Sequence, residues 1–151
     1  LNLKKYLNEF RLIGDVYNIV DSPIFNFSIS IVVKIKSGYD VINTLNNIQV
    51  NIFNLLRFDT FQINQPISIN NILLAVMNTD GVSSIITDPK KIITCKSTIN
   101  NFIDSDTQEE ITYSGNYFDP IESYFEGEIY ASLGSIFELK YPKHDIVIRN
   151  T

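Results

Sequence analysis

The chain has 151 residues, 44% of them hydrophobic and 19% charged, with a formal net charge of −5. That length suffices for one domain with its own core, the composition excludes disorder over most of the chain, and no apolar run approaches the ~18 residues a membrane-spanning helix needs. Charge is unevenly placed, since residues 1–97 hold nine Lys/Arg and seven Asp/Glu, whereas residues 98–151 hold three and ten. Such an acidic last third is expected to dock on neutral or basic protein and not on nucleic acid, because phosphate binding draws on counterion release at a basic surface. An equally simple alternative is that the acid keeps an exposed tail soluble.

The first residue is Leu1 and no signal-peptide series follows it, so a fragment of a longer chain is expected. In "LNLKKYLNEFRLIG", Leu3, Tyr6, Leu7 and Phe10 recur at helical spacing ahead of Gly14, predicting a short amphipathic helix. Residues 24–36 alternate. Phe25, Phe27, Ile29, Ile31, Val33 and Ile35 fall on one face and Asn26, Ser28, Ser30, Lys34 and Lys36 on the other, with Val32 as the exception. This predicts a long strand with one buried face. After "SGYD", which resembles a capping box, Val41, Leu45, Ile48, Ile52 and Leu55 or Leu56 predict a helix ending near Arg57. "FQINQPI" predicts a brief strand closed by Pro66. Ser68 caps a second helix carrying Ile69, Ile72, Leu73 and Val76, and Asp80 with Gly81 supplies its stop. Residues 82–86 and 91–95 follow as strands about a turn at Asp88 and Pro89.

This order predicts an α+β fold, a small mixed sheet with two helices on one face in ferredoxin-like order. An N-terminal helix and linker (residues 1–21) precede the α/β domain (22–97), and an extended, aromatic-rich C-terminal arm (98–151) follows it. Eight of the eighteen aromatics lie between Tyr113 and Tyr141 without a core periodicity, which suits an arm wrapping its own domain or a partner.

Few residues suggest chemistry. Cys95 is alone, so no internal disulfide can form and an inert, buried thiol is expected. "DSDTQEE" (104–110) begins like a calcium loop but has glutamate at the sixth position, where the turn needs glycine, and no glutamate at the twelfth. A solvated acidic loop is expected there. Asn26, Phe27 and Ser28 match a glycosylation sequon inside the best strand, as chance would produce. The glycines are isolated, so no loop cradles phosphate.

The stretch "SLGSIFELKYPKHDI" (132–146) gathers Glu138, Lys140, Tyr141, His144 and Asp145. These groups could serve proton transfer, with His144 working beside Asp145 or Glu138, or with Cys95 as a nucleophile. Strand alternation puts Glu138 and Lys140 on one side and Phe137, Leu139 and Tyr141 on the other, and Pro142 separates both sets from His144. That is the pattern of apolar anchors rimmed by charge. The expected partner-contact residues are Leu133, Ile136, Phe137, Leu139, Tyr141 and Pro142, with no catalytic, cofactor-binding or metal residue assigned.

Three blocks, "YLNEFRLIGDVYNIVDSPIFNFSISIVVKI", "FDTFQINQPISINNILLAVMNTDGVSSI" and "ASLGSIFELKYPKHDI", resemble in order the C-terminal part of the inner-ring baseplate wedge subunit of T-even-type contractile-tail bacteriophages, a family related to the baseplate J-like proteins. "QINQPI", "GV" and "SIFELKYP" are the most specific points. Ala131 and Gly134 stand where the family usually has a proline-rich form, and the tail "VIRNT" departs from the glycine-arginine ending of the family. The resemblance implies a structural, non-enzymatic virion protein without cofactor. Its partners would be copies of itself, as a dimer within a ring, and other wedge and hub proteins, with no nucleic acid and no membrane insertion. The alternative is a ferredoxin-like ligand-binding or regulatory module of a non-viral protein.

Overall fold

The computed structural model describes residues 2–10, 14, 18–57 and 61–151. In chain order the elements are α1 (Leu3–Asn8), β1 (Ile24–Ile35), α2 (Val41–Leu55), β2 (Ile67–Ser68), α3 (Ile69–Met77), β3 (Val82–Ile85), β4 (Ile93–Lys96), β5 (Phe102–Ile103), β6 (Glu110–Ile111), β7 (Tyr124–Phe125), β8 (Glu128–Ile129), β9 (Ile136–Glu138), α4 (Pro142–Asp145) and β10 (Ile146–Asn150). Among the described residues no helix is long and apolar enough to cross a membrane.

Strand β1 organises the molecule. Its predicted alternation is observed, with Phe25, Phe27, Ile29, Ile31 and Val33 all buried. Each edge of β1 is shared by two shorter strands. On one edge β9 and then β10 run parallel to it, with Ile24 opposite Ile136 and Ile29 opposite Ile146. On the other edge β4 and β3 run antiparallel, with Phe27 opposite Cys95 and Val33 opposite Ile85. A 3-10 turn at Pro89–Lys91 separates β3 from β4 and delays the second strand to Ile93.

Both predicted helices form. The Asp40 carboxylate accepts the Asn43 N–H at 2.7 Å to open α2, and Ser68 Oγ accepts the Asn71 N–H at 3.3 Å to open α3. Helix α2 packs on β10 and on α3, which in turn packs on β3. Ile48, Ile52, Ile69, Ile72 and Val76 thereby join the buried face of β1 in one core. Each such aliphatic side chain contributes about 1.5–3 kcal/mol of burial. The mixed α+β class agrees with the sequence reading.

Two features differ from it. Residues 136–150, expected in an arm apart from the 22–97 domain, supply β9 and β10 to the central sheet. No strand runs through "FQINQPI", because Asn64 turns into the left-handed region (φ 64°) and β2 begins only after Pro66. There Asn64 donates its N–H to the Ser135 carbonyl at 2.9 Å, and its side-chain oxygen accepts the Gly134 N–H at 2.6 Å. Helix α1 forms, capped by Asn2, but none of its side chains is buried. Its expected continuation through residues 11–13 lies outside the described residues.

The segment between β4 and β9 makes two small ribbons. Strands β5 and β6 pair as a hairpin, while β7 and β8 join β2 in a three-stranded sheet. The β7–β8 turn places Glu126 and Gly127 at φ 50° and 88°, the double left-handed geometry that suits a two-residue hairpin. The Gly127 carbonyl accepts the Ile69 N–H at 2.8 Å, tying this sheet to the start of α3. A Cβ on Gly127 would lie 2.3 Å from Asn70 Nδ2, so the close approach depends on glycine.

Candidate functional site

The stretch that gathers acids, bases and aromatics divides into a buried part and an open part. Phe137 is 1% exposed and sits among Phe25, Phe27 and Phe118, with ring centroids 6.4, 6.0 and 5.2 Å away. Leu139 is buried beside it in the same core. Phe137 and Leu139, expected at a partner surface, are therefore core residues of this chain. Parallel pairing of β9 with β1 puts Phe137 level with Phe25 on the apolar face, a register that local alternation cannot reveal. Ile136, Tyr141 and Pro142 are half-buried, and Leu133 is 92% exposed.

The charged groups find partners within the fold. Glu138 Oε2 accepts from Asn26 Nδ2 at 2.9 Å, and Asn26 Oδ1 accepts the Ser114 N–H at 2.8 Å. Asn26 is fully buried, so the sequon match is a structural junction between β1, β9 and the 98–118 segment. Pro142 opens the single turn of α4, which drives Asp145 inward. The buried Asp145 carboxylate accepts the Tyr113 hydroxyl at 2.6 Å and the Tyr141 N–H at 3.3 Å. Burial pushes its carboxyl above the ordinary range, against the lowering effect of the Tyr113 hydroxyl. Burial, then the Asp145 partner, also raises the Tyr113 phenol.

The His144 ring hydrogen-bonds to neither Asp145 nor Glu138, as a catalytic reading required. Its Nδ1 lies 2.5 Å from Asp104 Oδ2, and its ring meets Phe102 edge-on. Asp104 Oδ1 accepts the backbone N–H groups of Asp106 and Thr107 and the Thr107 hydroxyl. Chiefly through the Thr107 N–H, these bonds hold the Asp104 carboxyl down at about 2. The acidic loop is thus closed on itself and on His144. Among the described residues no group of three His, Cys, Asp or Glu is placed to hold a metal. Cys95 is half-buried, with the Phe118 N–H directed at its sulfur at 3.4 Å, and burial raises its thiol.

The open part is a groove of about 680 Å³ between α2 and the turn entering α4. Val50 and Phe53 of α2 face Tyr141, Pro142 and Ile146 across it, and Glu109, Glu110, Lys140 and Lys143 supply charge at its border. A smaller trough of about 300 Å³ continues from it along α2 and β10, past Ile42 and Ile148, and shares Gln49 and Ile146 with it. The Tyr141 hydroxyl fixes one wall by donating to the Thr112 carbonyl at 3.1 Å and accepting the Thr112 N–H at 3.2 Å. Tyr141 and Pro142 alone of the expected contact residues line this groove. Sequence reasoning missed Val50 and Phe53, although both are apolar and lie off the stripe that α2 turns to the core. A scan against protein-family models finds no match, and no curated protein matches the chain.

Proposed function

We propose that the chain is a structural subunit of a contractile-tail baseplate, a wedge component that self-associates and joins neighbouring wedges into a ring around the tail hub. Its function is then carried by binding surfaces, and its place is the virion. The sequence support is the ordered resemblance of the three blocks, which fall on α1 to β1, on the approach to α3 and β3, and on β9 to α4.

One observation carries the reading. Between residues 98 and 135, Ile99, Ile103, Tyr117, Ile121, Phe125 and Leu133 are each more than 60% exposed. The same segment contains eight Asp/Glu and no Lys/Arg. A chain working alone rarely leaves so much large apolar surface in water, whereas an assembly subunit covers it with neighbours. Acid around those groups selects a neutral or basic protein face. The arm is on this reading residues 98–135, held to the sheet at Asn26 and Asp145 and presented outward.

The test is localisation in an intact particle. The chain should co-purify with contractile tails and occupy the ring about the hub in a density map, with Leu133 and Ile121 against neighbouring subunits. Recovery of the chain only from tail-free fractions would sink the proposal. Replacing His144 with Ala should leave ring assembly intact.

A further inference from the structure

We infer that α1 of one copy docks, apolar side down, into the groove between α2 and the turn entering α4 of a second copy. The inference rests on the reading of the chain as a self-associating subunit and names the two surfaces that meet. Leu3, Tyr6, Leu7 and Phe10 lie at i, i+3, i+4 and i+7, the spacing by which a short amphipathic helix enters an apolar groove. Glu9 keeps α-helical dihedrals past the last residue of α1, and the Tyr6 and Phe10 rings stay 5.1 Å apart, so the stripe is continuous. None of these side chains is buried within the chain, with Phe10 64% exposed.

The groove is the complementary surface. Its walls are Val50, Phe53, Tyr141, Pro142 and Ile146, and it stands open in the same structure that leaves α1 uncovered. Helix and groove of one chain therefore do not satisfy each other. Charge agrees: at about 100° per residue, Lys4 and Glu9 border opposite edges of the stripe, and the groove lining carries Glu109 for the first and Lys143 for the second, while Glu110 and Lys140 already pair with Asn101 and the Thr112 carbonyl. Two unlike surfaces on one chain make a heterologous contact, which propagates head to tail and gives a ring where the rotation closes.

Sedimentation velocity on the whole chain, at rising concentration, should show a head-to-tail ladder. Phe10→Asp spoils the helix and Val50→Asp the groove, both at solvent-exposed positions. Each variant alone should associate roughly 30-fold more weakly. Mixed one to one they should form a dimer and stop, because a single intact helix then meets a single intact groove. Phe53→Asp gives a second groove variant, with thermal unfolding to check that each variant is folded. Zero-length crosslinking of isotopically light and heavy copies should join Lys4 to Glu109 or Glu110 between copies. A parent chain monomeric at every concentration overturns the inference, as does a variant mixture that stays monomeric. Crosslinks confined within one copy overturn it by assigning the groove to its own helix. If both variants still build rings in tail particles, the docking is wrong while the subunit reading stands.

Discussion

The face of β1 that packs on α2 and α3 and the segment between β4 and β9 are two halves of one chain held together by different forces. The first is a continuous apolar core in which Phe27, Ile29, Ile31, Ile48, Ile52 and Ile72 are wholly excluded from water. The second has short ribbons and a few buried side chains, including Ile111, Tyr113 and Phe118, and is fastened by polar bonds at Asn26, Asp104, Tyr141 and Asp145. Burial is non-directional and tolerates displacement of its neighbours, whereas a hydrogen-bonded fastening fails when one partner is removed. The same chain thus has a body held by burial and a surface segment that joins that core at Phe118 and Ile129 and is otherwise placed by a handful of named bonds.

The largest expected effect crosses the boundary between the halves. Phe137 lies in β9 but packs with Phe25 and Phe27 of β1 and with Phe118 of the segment between β4 and β9. Phe137→Ala should cost about 3–5 kcal/mol in denaturant unfolding, the range for emptying an aromatic site in a core. Circular dichroism and tyrosine fluorescence should lose structure together. If the signal from the segment between β4 and β9 alone changed, the two halves would not share a core at this residue.

A smaller effect tests the polar fastening. Tyr113→Phe removes the hydroxyl that donates to the buried Asp145 carboxylate at 2.6 Å and should cost about 1.5–3 kcal/mol. Its pH dependence has a definite sign. The folded Asp145 carboxyl lies above its ordinary value of 3.8, so the folded state holds the extra proton and stability falls as pH rises through the folded value. Without the Tyr113 hydroxyl the carboxyl rises further, and the variant should lose more stability at neutral than at acid pH. An equal loss at both would mean that the hydroxyl serves packing only.

Asp104 has the opposite sign. Its folded carboxyl is held at about 2 against an ordinary 3.8, so its contribution is complete above 3.8 and disappears as pH falls towards about 2. Asp104→Asn should flatten the stability profile over that acid window and speed amide exchange in β5 and β6, with little change in β1. A profile that keeps its acid limb in the variant would place the titrating group elsewhere.

These differences also explain how far the sequence could be read. The alternation over Phe25 to Ile35 and the cap at Ser68 are local signals, and the corresponding elements form where they point, whereas the capping box read in "SGYD" is not made, because Asp40 itself caps α2. The partnership of Ile29 with Ile146 is not local, because β10 is joined to β1 only after the whole chain has folded back. The apolar alternation of Ile146 and Ile148 was its one trace. In "SLGSIFELKYPKHDI" alternation sorted the side chains correctly, yet it could not distinguish the core of the same chain from the face of another. That distinction rests on which strand pairs with β9. Likewise His144 found Asp104, forty residues away, through the β5–β6 hairpin and not through its neighbours in sequence.

The smallest expected change in stability is the one with the most to say about function. Leu133 is 92% exposed and follows the β7–β8 ribbon, while Gly134 behind it is tied to Asn64. Leu133→Ala removes no buried contact of the isolated chain and should shift its unfolding by no more than about 0.5 kcal/mol. In an assembly the same side chain would be an anchor whose truncation weakens association about tenfold or more. The pair of measurements, monomer unfolding and incorporation into tails, separates surface that is merely tolerated from surface that is used. A variant with unchanged unfolding and undiminished incorporation would remove Leu133 from the interface and leave Ile121 and Phe125 to be tried in the same way. Loss of incorporation at unchanged stability would assign the exposed segment to a partner, since no interaction within the chain would have been altered.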